Sequence, residues 1–334
     1  MKRRPSIRDI AETTGVSAAT VSLALRDKGR MADSTRNRIK QAAAEAGYVP
    51  NSTARSLAGG RTQLIAIALP SIENSPHELG SVEYFFRLLG AATAKALQMD
   101  HGLLVVSPSE DPDRFAVDGA VVVDPGDDDR TIAAFDRLDL PVVTIGRRLG
   151  DAESRPHRSL IVNNDFISAT EDVLDHLRER GSSSIALFAC RPIDSFQKDS
   201  ISSYRAWCDR QGVTPRVVMA DSSMPEQASR AAKEIFGGPE RIDGVYATVD
   251  TLAESVLEIA ARRGCAVPHD LRIATCSDGV ISRSTSPALT TLDEKAVELG
   301  EAAVEMLITA ILDPGAGPSF VQVSTELLIR ESTA

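Results

Sequence analysis

The chain has 334 residues, a formal net charge of −10, 43% hydrophobic residues and 25% charged ones. That length suits about two or three domains of roughly 100 to 200 residues each. No apolar run reaches the roughly 18 residues that a bilayer span needs, and the basic start MKRRPSIRDI has no apolar stretch behind it, so neither a membrane anchor nor a secretory signal is expected.

The first predicted elements lie in SIRDIAETTGVSAATVSLAL, Ser6 to Leu25, which reads as two short helices broken at Gly15-Val16-Ser17. Ser6 is a cap for the first helix, with Asp9 three positions on in capping-box spacing. Ile7, Ile10 and Ala11 share one face at helical spacing. Gly15 suits the sharp turn, since it tolerates backbone angles that other residues avoid. Ser17 caps the second helix, whose inner face holds Val21 and Leu25. The pattern fits a helix-turn-helix, whose second helix usually enters the DNA major groove, and equally a plain helical hairpin. Charge favours DNA. Residues 1–61 hold twelve Lys and Arg against five acids, a net of +7, so the other 273 residues carry −17. A basic head on an acidic body is an electrostatic footprint for nucleic acid, with salt-dependent binding.

Arg26-Asp27-Lys28-Gly29-Arg30 then forms a basic loop. Asp33 or Ser34 caps a third helix, about Thr35 to Ala46, with Ile39, Ala42, Ala43 and Ala46 inward and Gly47 as its terminator. Tyr48 closes this small core. Beyond Pro50, Asn51–Ala58 has room for two helical turns before Gly59-Gly60; it reads either as a linker or as a segment helical only on DNA, with Leu57 a minor-groove wedge.

From Gln63 onward buried strands alternate with helices. Strands are expected at Leu64–Leu69, Leu103–Val106, Ala120–Val123 and Val142–Ile145, with a helix over Glu83–Met99. A second series runs through strand Leu160–Val162, helix Phe166–Arg180, strand Ile185–Phe188, helix Ser200–Gln211, strand Arg216–Ala220, helix Glu226–Phe236, strand Gly244–Thr248, helix Leu252–Arg263 and strand Arg272–Cys276. Such alternation implies doubly wound α/β lobes, two at this length. Between Val106 and Val117 only the short segment Ser107–Ala116 intervenes.

The stretch IRDIAETTGVSAATVSLAL, followed by TRNRIKQAAAEAGYVPNSTARSLAGGRT and a strand, resembles the LacI/GalR family of bacterial transcriptional regulators, densely over residues 6–70 and more loosely beyond. The resemblance implies an α/β fold with an N-terminal all-α helix-turn-helix headpiece (1–49), a hinge helix or linker (50–61) and a two-lobed, periplasmic-binding-protein-like effector and dimerisation domain (62–334). The first lobe would span about 62–158 and 292–318, the second about 159–291 and 319–330, the chain crossing three times. The protein would then be a repressor that binds a palindromic double-stranded DNA operator as a homodimer, in the cytoplasm at the nucleoid.

The same resemblance implies the DNA contacts. Ser17 and Thr20 match positions that grip phosphates, which fixes register without reading sequence. The base-reading positions fall on Ala18, Ala19 and Leu23, which offer only apolar contact, for instance with a thymine methyl. More specificity would then come from Arg26 and Arg30, from Ala54 and Leu57 in the minor groove, and from DNA shape. Ser6, Ile7, Thr35 and Asn51 complete the set.

The effector positions implied by the resemblance look eroded. Ser200 stands where many members have an arginine, Val249-Asp250 where an Asn-Asp pair is usual, Ser277-Asp278 where an Asp-Asp pair is usual, and Ser222 near the usual stacking aromatic. A buried polyol needs such groups, because an unpaired hydroxyl costs roughly 1–3 kcal/mol. The expectation is an unusual effector, held by residues such as Asn74, Arg147, Asn163, Asp165, Lys198, Ser200, Asp250 and Ser277, or no small-molecule effector at all.

An enzyme is not expected: Walker A, GxSxG, HExxH and GxGxxG patterns are all missing. No cofactor or metal is expected either. His77, His101, His157, His176 and His269 read as scattered surface residues, Asp124–Asp129 as a solvated acidic turn, and Cys190, Cys208, Cys265 and Cys276 as reduced structural thiols. The alternative function is a two-lobed solute-binding protein without a DNA role.

Overall fold

A computed structural model describes residues 5–25, 27, 29–48, 61–70, 79–106, 115–126, 129–148, 159–191, 194–238 and 241–334. The chain divides into two compact units, residues 1–62 and 63–334. The expected contacts Arg26, Asn51, Ala54, Leu57 and Asn74, and most of the short segment 107–116, lie outside the described residues.

The first unit is three helices: α1 (Ile7–Thr14), α2 (Ala18–Leu25) and α3 (Asp33–Glu45). Ser6 and Asp9 form the reciprocal capping box, with the Ser6 amide donating to Asp9 Oδ2 at 2.7 Å. Gly15 ends α1 at φ 67°, the left-handed region where a side chain would be strained. Ile10, Val21, Ala24, Ile39 and Ala43 form the core, with Ile7, Leu25 and Tyr48 against its rim. The cap of α3 differs from expectation: Ala32 holds that position without a side-chain bond, so Asp33 and Ser34 are already helical.

The second unit holds two six-stranded sheets. The first comprises β1 (Leu64–Ala68), β2 (Gly102–Val106), β3 (Ala120–Val123), β4 (Val142–Ile145), β5 (Leu160–Asn164) and β11 (Phe320–Val323), in the order β11-β5-β4-β3-β1-β2 and wholly parallel. The second comprises β6 (Ile185–Cys190), β7 (Arg216–Ala220), β8 (Gly244–Ala247), β9 (Arg272–Cys276), β10 (Thr290–Asp293) and β12 (Glu326–Leu328), in the order β12-β10-β9-β8-β6-β7. Only β12 runs antiparallel, beside β10.

Helices α4 (Leu79–Gln98), α5 (Arg130–Arg137) and α11 (Ala296–Leu312) serve the first sheet. Helices α6 (Phe166–Glu179), α7 (Ser195–Gln211), α8 (Pro225–Ile235), α9 (Asp250–Arg262) and the short α10 (Val280–Ser284) serve the second. Each strand splits its side chains between two cores, as its period of two requires. On β1, Ile65 and Ile67 meet α4 and α11, while Ala66 and Ala68 face α5. Helices α4 and α11 approach closely at Gly300, where an added Cβ would stand 2.5 Å from the Leu88 carbonyl oxygen.

The lobe boundaries are corrected by strand pairing. Leu160–Asn164 belongs to the first sheet, where Thr144 pairs with Ile161, and the chain leaves for the second lobe only at Asp165. Phe320–Val323 likewise pairs with β5, so only Glu326–Leu328 returns to the second sheet. Both lobes share one strand-helix rhythm, so periodicity alone does not mark where the chain changes lobe. Helix α7 also starts five residues before the expected Ser200, capped by Asp194.

The three crossings meet at one side chain. Asn164 lies at the first, and its Nδ2 donates to the Glu294 carbonyl of the second at 3.1 Å and to the Val323 carbonyl of the third at 2.9 Å. Lys295 joins the second and third again by pairing with Asp293 and Glu326.

Candidate functional site

Two regions carry the sequence-predicted residues. In the first unit, Ser17 and Thr20 sit together at the start of α2: the Thr20 amide donates to Ser17 Oγ at 3.1 Å, and the two hydroxyls are 2.8 Å apart. Free N–H groups and hydroxyls at a helix N-terminus suit a phosphate. Ala19 is exposed and Ala18 half-buried on the same turn. Leu23 is only 38% exposed, and an added Cβ on Gly29 would lie 3.2 Å from its Cδ1. It is thus partly committed to supporting the loop. That loop is also braced from α3, where Lys40 pairs with Asp27 at 2.7 Å and Arg36 Nη2 donates to the Gly29 carbonyl at 3.1 Å. The Lys40 bond holds the Asp27 carboxyl below its usual range. Arg30 is exposed; Thr35 lies half-buried in the first turn of α3, and Ser6 and Ile7 flank the start of α1.

The second region is the space between the lobes, at the carboxyl ends of the parallel strands, where open α/β sheets bind ligands. Arg147, just after β4, spans it: its amide donates to Ser195 Oγ at 3.0 Å and its guanidinium pairs with Asp199 of α7. Glu83 of α4 pairs with Arg283 of α10 at 2.7 Å, a second tie between lobes. Asp250 opens α9 with no solvent exposure, and among the described residues its only nearby donors are the backbone amides at the start of that helix. Burial pushes it up to about 7; the nearby Thr251 amide opposes this, and the Glu254 and Glu83 charges reinforce it. Asn163 on β5 is 6% exposed with Oδ1 unpartnered, and Ser200 is fully buried with Oγ unpartnered. Lys198 lies close enough to Asp194 to act on its charge.

Two expected ligand residues carry internal hydrogen bonds. Asp165 caps α6, accepting from the Ser168 amide at 3.1 Å and hydroxyl at 2.8 Å. Ser277 donates its hydroxyl to Glu294. Other readings are also corrected. His101 and His176 are buried, their rings at 2.6 Å from the Met99 carbonyl and 2.8 Å from Thr333 Oγ1, because each closes a local polar group. Asp124 is half-buried rather than fully solvated: burial, then the Asp194 and Glu294 charges, raise its carboxyl well above the usual range. Asp129 caps α5.

The sequence reading missed Tyr84, Asp124, Asp194, Asp199 and Glu294. The signal available was position: Asp124 directly follows β3 and Glu294 follows β10, both strand ends facing the cleft. Asp124 Oδ1 and Ser195 Oγ lie within 3.5 Å of one point, the place of an added Cβ on Gly146, so the two lobes meet there. Burial pushes Glu294 up to about 7, against its Ser277 bond and with the Asp293 and Asp250 charges. Asp194 is raised by burial, against the Gln197 and Phe196 amides. Burial and then the Asp124 and Glu294 charges raise Tyr84, which joins Ser277 and Glu294 around one small cavity. Larger cavities of ≈ 310 Å³ beside Pro141 and Ser319 and ≈ 380 Å³ beside Ser184 and Arg216 lie at the opposite, amino ends of the strands. Among the described residues, no group of three or more His, Cys, Asp or Glu could hold a metal ion, and no helix is long and apolar enough to cross a membrane.

Residues 6–51 match the family model for bacterial regulatory proteins, lacI family, and residues 174–333 that for a periplasmic binding protein-like domain. The chain is 27% identical to the ribose operon repressor of Bacillus subtilis (strain 168) over 98% of both chains. It is 26% identical to the HTH-type transcriptional regulator GalR of Streptococcus thermophilus, over 98% of this chain and 99% of that one. Its fold is similar to that of the lac repressor dimer bound to operator and the anti-inducer ONPF, with TM-score 0.80 at 20% identity over 99% of both chains. It is also similar to a complex of the transcriptional regulator CelR with cellobiose, with TM-score 0.72 at 21% identity over 98% of this chain and 100% of that one.

Proposed function

As the chain belongs to the LacI family of bacterial regulatory proteins, we propose that it is a cytoplasmic, nucleoid-associated repressor that binds a palindromic operator as a homodimer and answers to a small molecule between its lobes. The observation that carries the DNA reading is the start of α2: the Ser17–Thr20 hydroxyl pair, with exposed Ala19 beside it, on a unit whose first 61 residues bear +7. Ser17 and Thr20 take phosphates, Ala18, Ala19 and Leu23 make apolar base contacts, and Arg30 and Thr35 add backbone contacts. A two-fold operator follows from one headpiece reading one half-site. The dimer is supported by Phe86 and Leu97, each 65% exposed and three turns apart on one face of α4, and by Val105 on the edge strand β2, 52% exposed.

Control from the cleft is a coupling free energy between two sites. A ligand that alters the angle between lobes, turning about the Asn164 junction, changes how the two subunits present their headpieces. Ser200, Val249, Ser277 and Ser222 stand where an arginine, an asparagine, an aspartate and an aromatic are usual for a sugar, so the effector is not a standard sugar.

The test is selection of bound duplexes from a random pool by the full chain. It should yield a palindrome, and affinity for it should fall by roughly 10³-fold or more between 50 and 200 mM salt, as for about six or more phosphate contacts. A pool without sequence enrichment, or a salt-insensitive complex, overturns the reading.

A further inference from the structure

The loop between α2 and α3 carries an acid in a unit that is otherwise strongly basic, and α3 holds that acid in place. Asp27 and Gly29 both stand in the left-handed region, at φ 56° and 80°. A residue with a side chain persists there only where its surroundings fix it. Lys40 Nζ donates to both Asp27 carboxylate oxygens, at 2.7 and 2.9 Å, and Arg36 Nη1 lies 3.7 Å from the same carboxylate. Arg36 Nη2 also donates to the Gly29 carbonyl at 3.1 Å. The Asp27 amide donates to the Ala24 carbonyl at 3.2 Å, tying the loop back to the end of α2.

Two further observations give this brace a bearing on DNA. Gly29 packs on Leu23, since an added Cβ there would lie 3.2 Å from Leu23 Cδ1 and 3.4 Å from its Cβ. That contact limits the rotamers open to a side chain assigned to the base edges. The cations of α3, moreover, are spent inside the unit. Arg36 and Lys40 hold the loop, and Arg38 Nη2 donates to the Thr14 carbonyl at the end of α1, at 3.3 Å. A cation neutralised by a carboxylate has little charge left to displace a counterion from a phosphate.

We propose that Asp27 is a specificity-determining residue of the DNA-binding unit: it keeps Lys40 and Arg36 on the loop and off the phosphates, and through Gly29 it keeps Leu23 set for the bases. This rests on the DNA reading of the unit. An acid at a DNA-binding surface weakens attraction to every duplex alike, because phosphate contacts carry no sequence information. It improves discrimination when it also fixes a side chain that reads bases. Asp27 therefore sets the ratio of operator to unrelated affinity, rather than operator affinity alone.

The experiment is fluorescence anisotropy of the full-length protein with the duplex recovered by selection and with a scrambled duplex, from about 50 to 200 mM salt. Asp27→Gly and Asp27→Asn both suit a left-handed backbone, so the turn stays available without the carboxylate. Each should bind the scrambled duplex about threefold or more tighter, with a salt slope steeper by about 0.9, the share of one phosphate contact. Each should narrow the operator-to-scrambled ratio about fivefold or more. Lys40→Gln should weaken scrambled binding about threefold more in the Asp27→Gly background than in the unsubstituted chain, since only there is the ammonium free. An unchanged or wider ratio overturns the role of Asp27. So does an equal loss on both duplexes, which marks a residue that only supports the fold. Equal effects of Lys40→Gln in the two backgrounds overturn the withholding of that cation. A selection without a palindrome overturns the DNA reading itself, and the role of Asp27 with it.

Discussion

Asp250 makes the resting cleft sensitive to pH. In the unfolded chain an aspartate ionises near 4; in the folded chain burial holds Asp250 up to about 7. Between those values the folded state binds more protons than the unfolded one, so stability falls as pH rises through that window. The charges that face it are Glu254 on its own helix, Glu83 of α4, and Glu294 at the second crossing. The body's melting temperature should therefore fall from pH 5 to pH 8 more steeply in the native chain than in Asp250→Asn, a difference on the order of 3 kcal/mol across the window. Thermal melts of both proteins across that range measure it, and parallel curves would show that the group titrates normally. Elsewhere at this scale, the Ser6–Asp9 box does what its spacing implies, whereas Asp165, expected at the ligand, spends its carboxylate on the Ser168 amide and hydroxyl.

Between elements, the tightest fit is α4 against α11 at Gly300. A glycine inside a helix costs about 1 kcal/mol relative to alanine, and here the close approach of the Leu88 carbonyl explains its presence. Gly300→Ala should still destabilise the body, by about 1–3 kcal/mol, because overpacking outweighs the gain in helix propensity; urea unfolding followed by circular dichroism reads it, and a stabilised variant would refute the packing argument. The elements themselves were largely legible. Runs such as Leu64–Ala68 and Ala120–Val123 announce strands covered on both faces, and Gly15 and Gly47 mark real helix ends. The start of α7 was not legible, because Gln197 and Asp199 look like surface residues and are buried facing the cleft. The lobe assignment of β5 and β11 was not legible either: β11 depends on a partner more than a hundred residues away, and nothing in the sequence of β5 shows that it pairs with β4 before the chain crosses. The site was read least well because Asp124, Asp194 and Glu294 are far apart in sequence and act on one another only after the chain has crossed between lobes.

For the whole molecule, the exposed stripe of Phe86 and Leu97 together with Val105 predicts its own consequence. Phe86→Lys combined with Leu97→Lys should turn a dimer into a monomer by light scattering at micromolar concentration, with an unchanged far-ultraviolet spectrum. A dimer that persists would place the interface elsewhere. The strand orders carry a further consequence, for the timing of synthesis. Chains emerge amino end first and fold in units as they do so. The three-helix unit draws only on residues before 49, so it can form while most of the protein is still unmade. Neither lobe has that freedom. Phe320–Val323 closes the edge of the first sheet and Glu326–Leu328 the edge of the second, while Ser332 and Thr333 lock Ile273 and His176 from inside. A nascent chain therefore presents the folded three-helix unit long before either lobe, and both lobes are completed together, by residues 320–334.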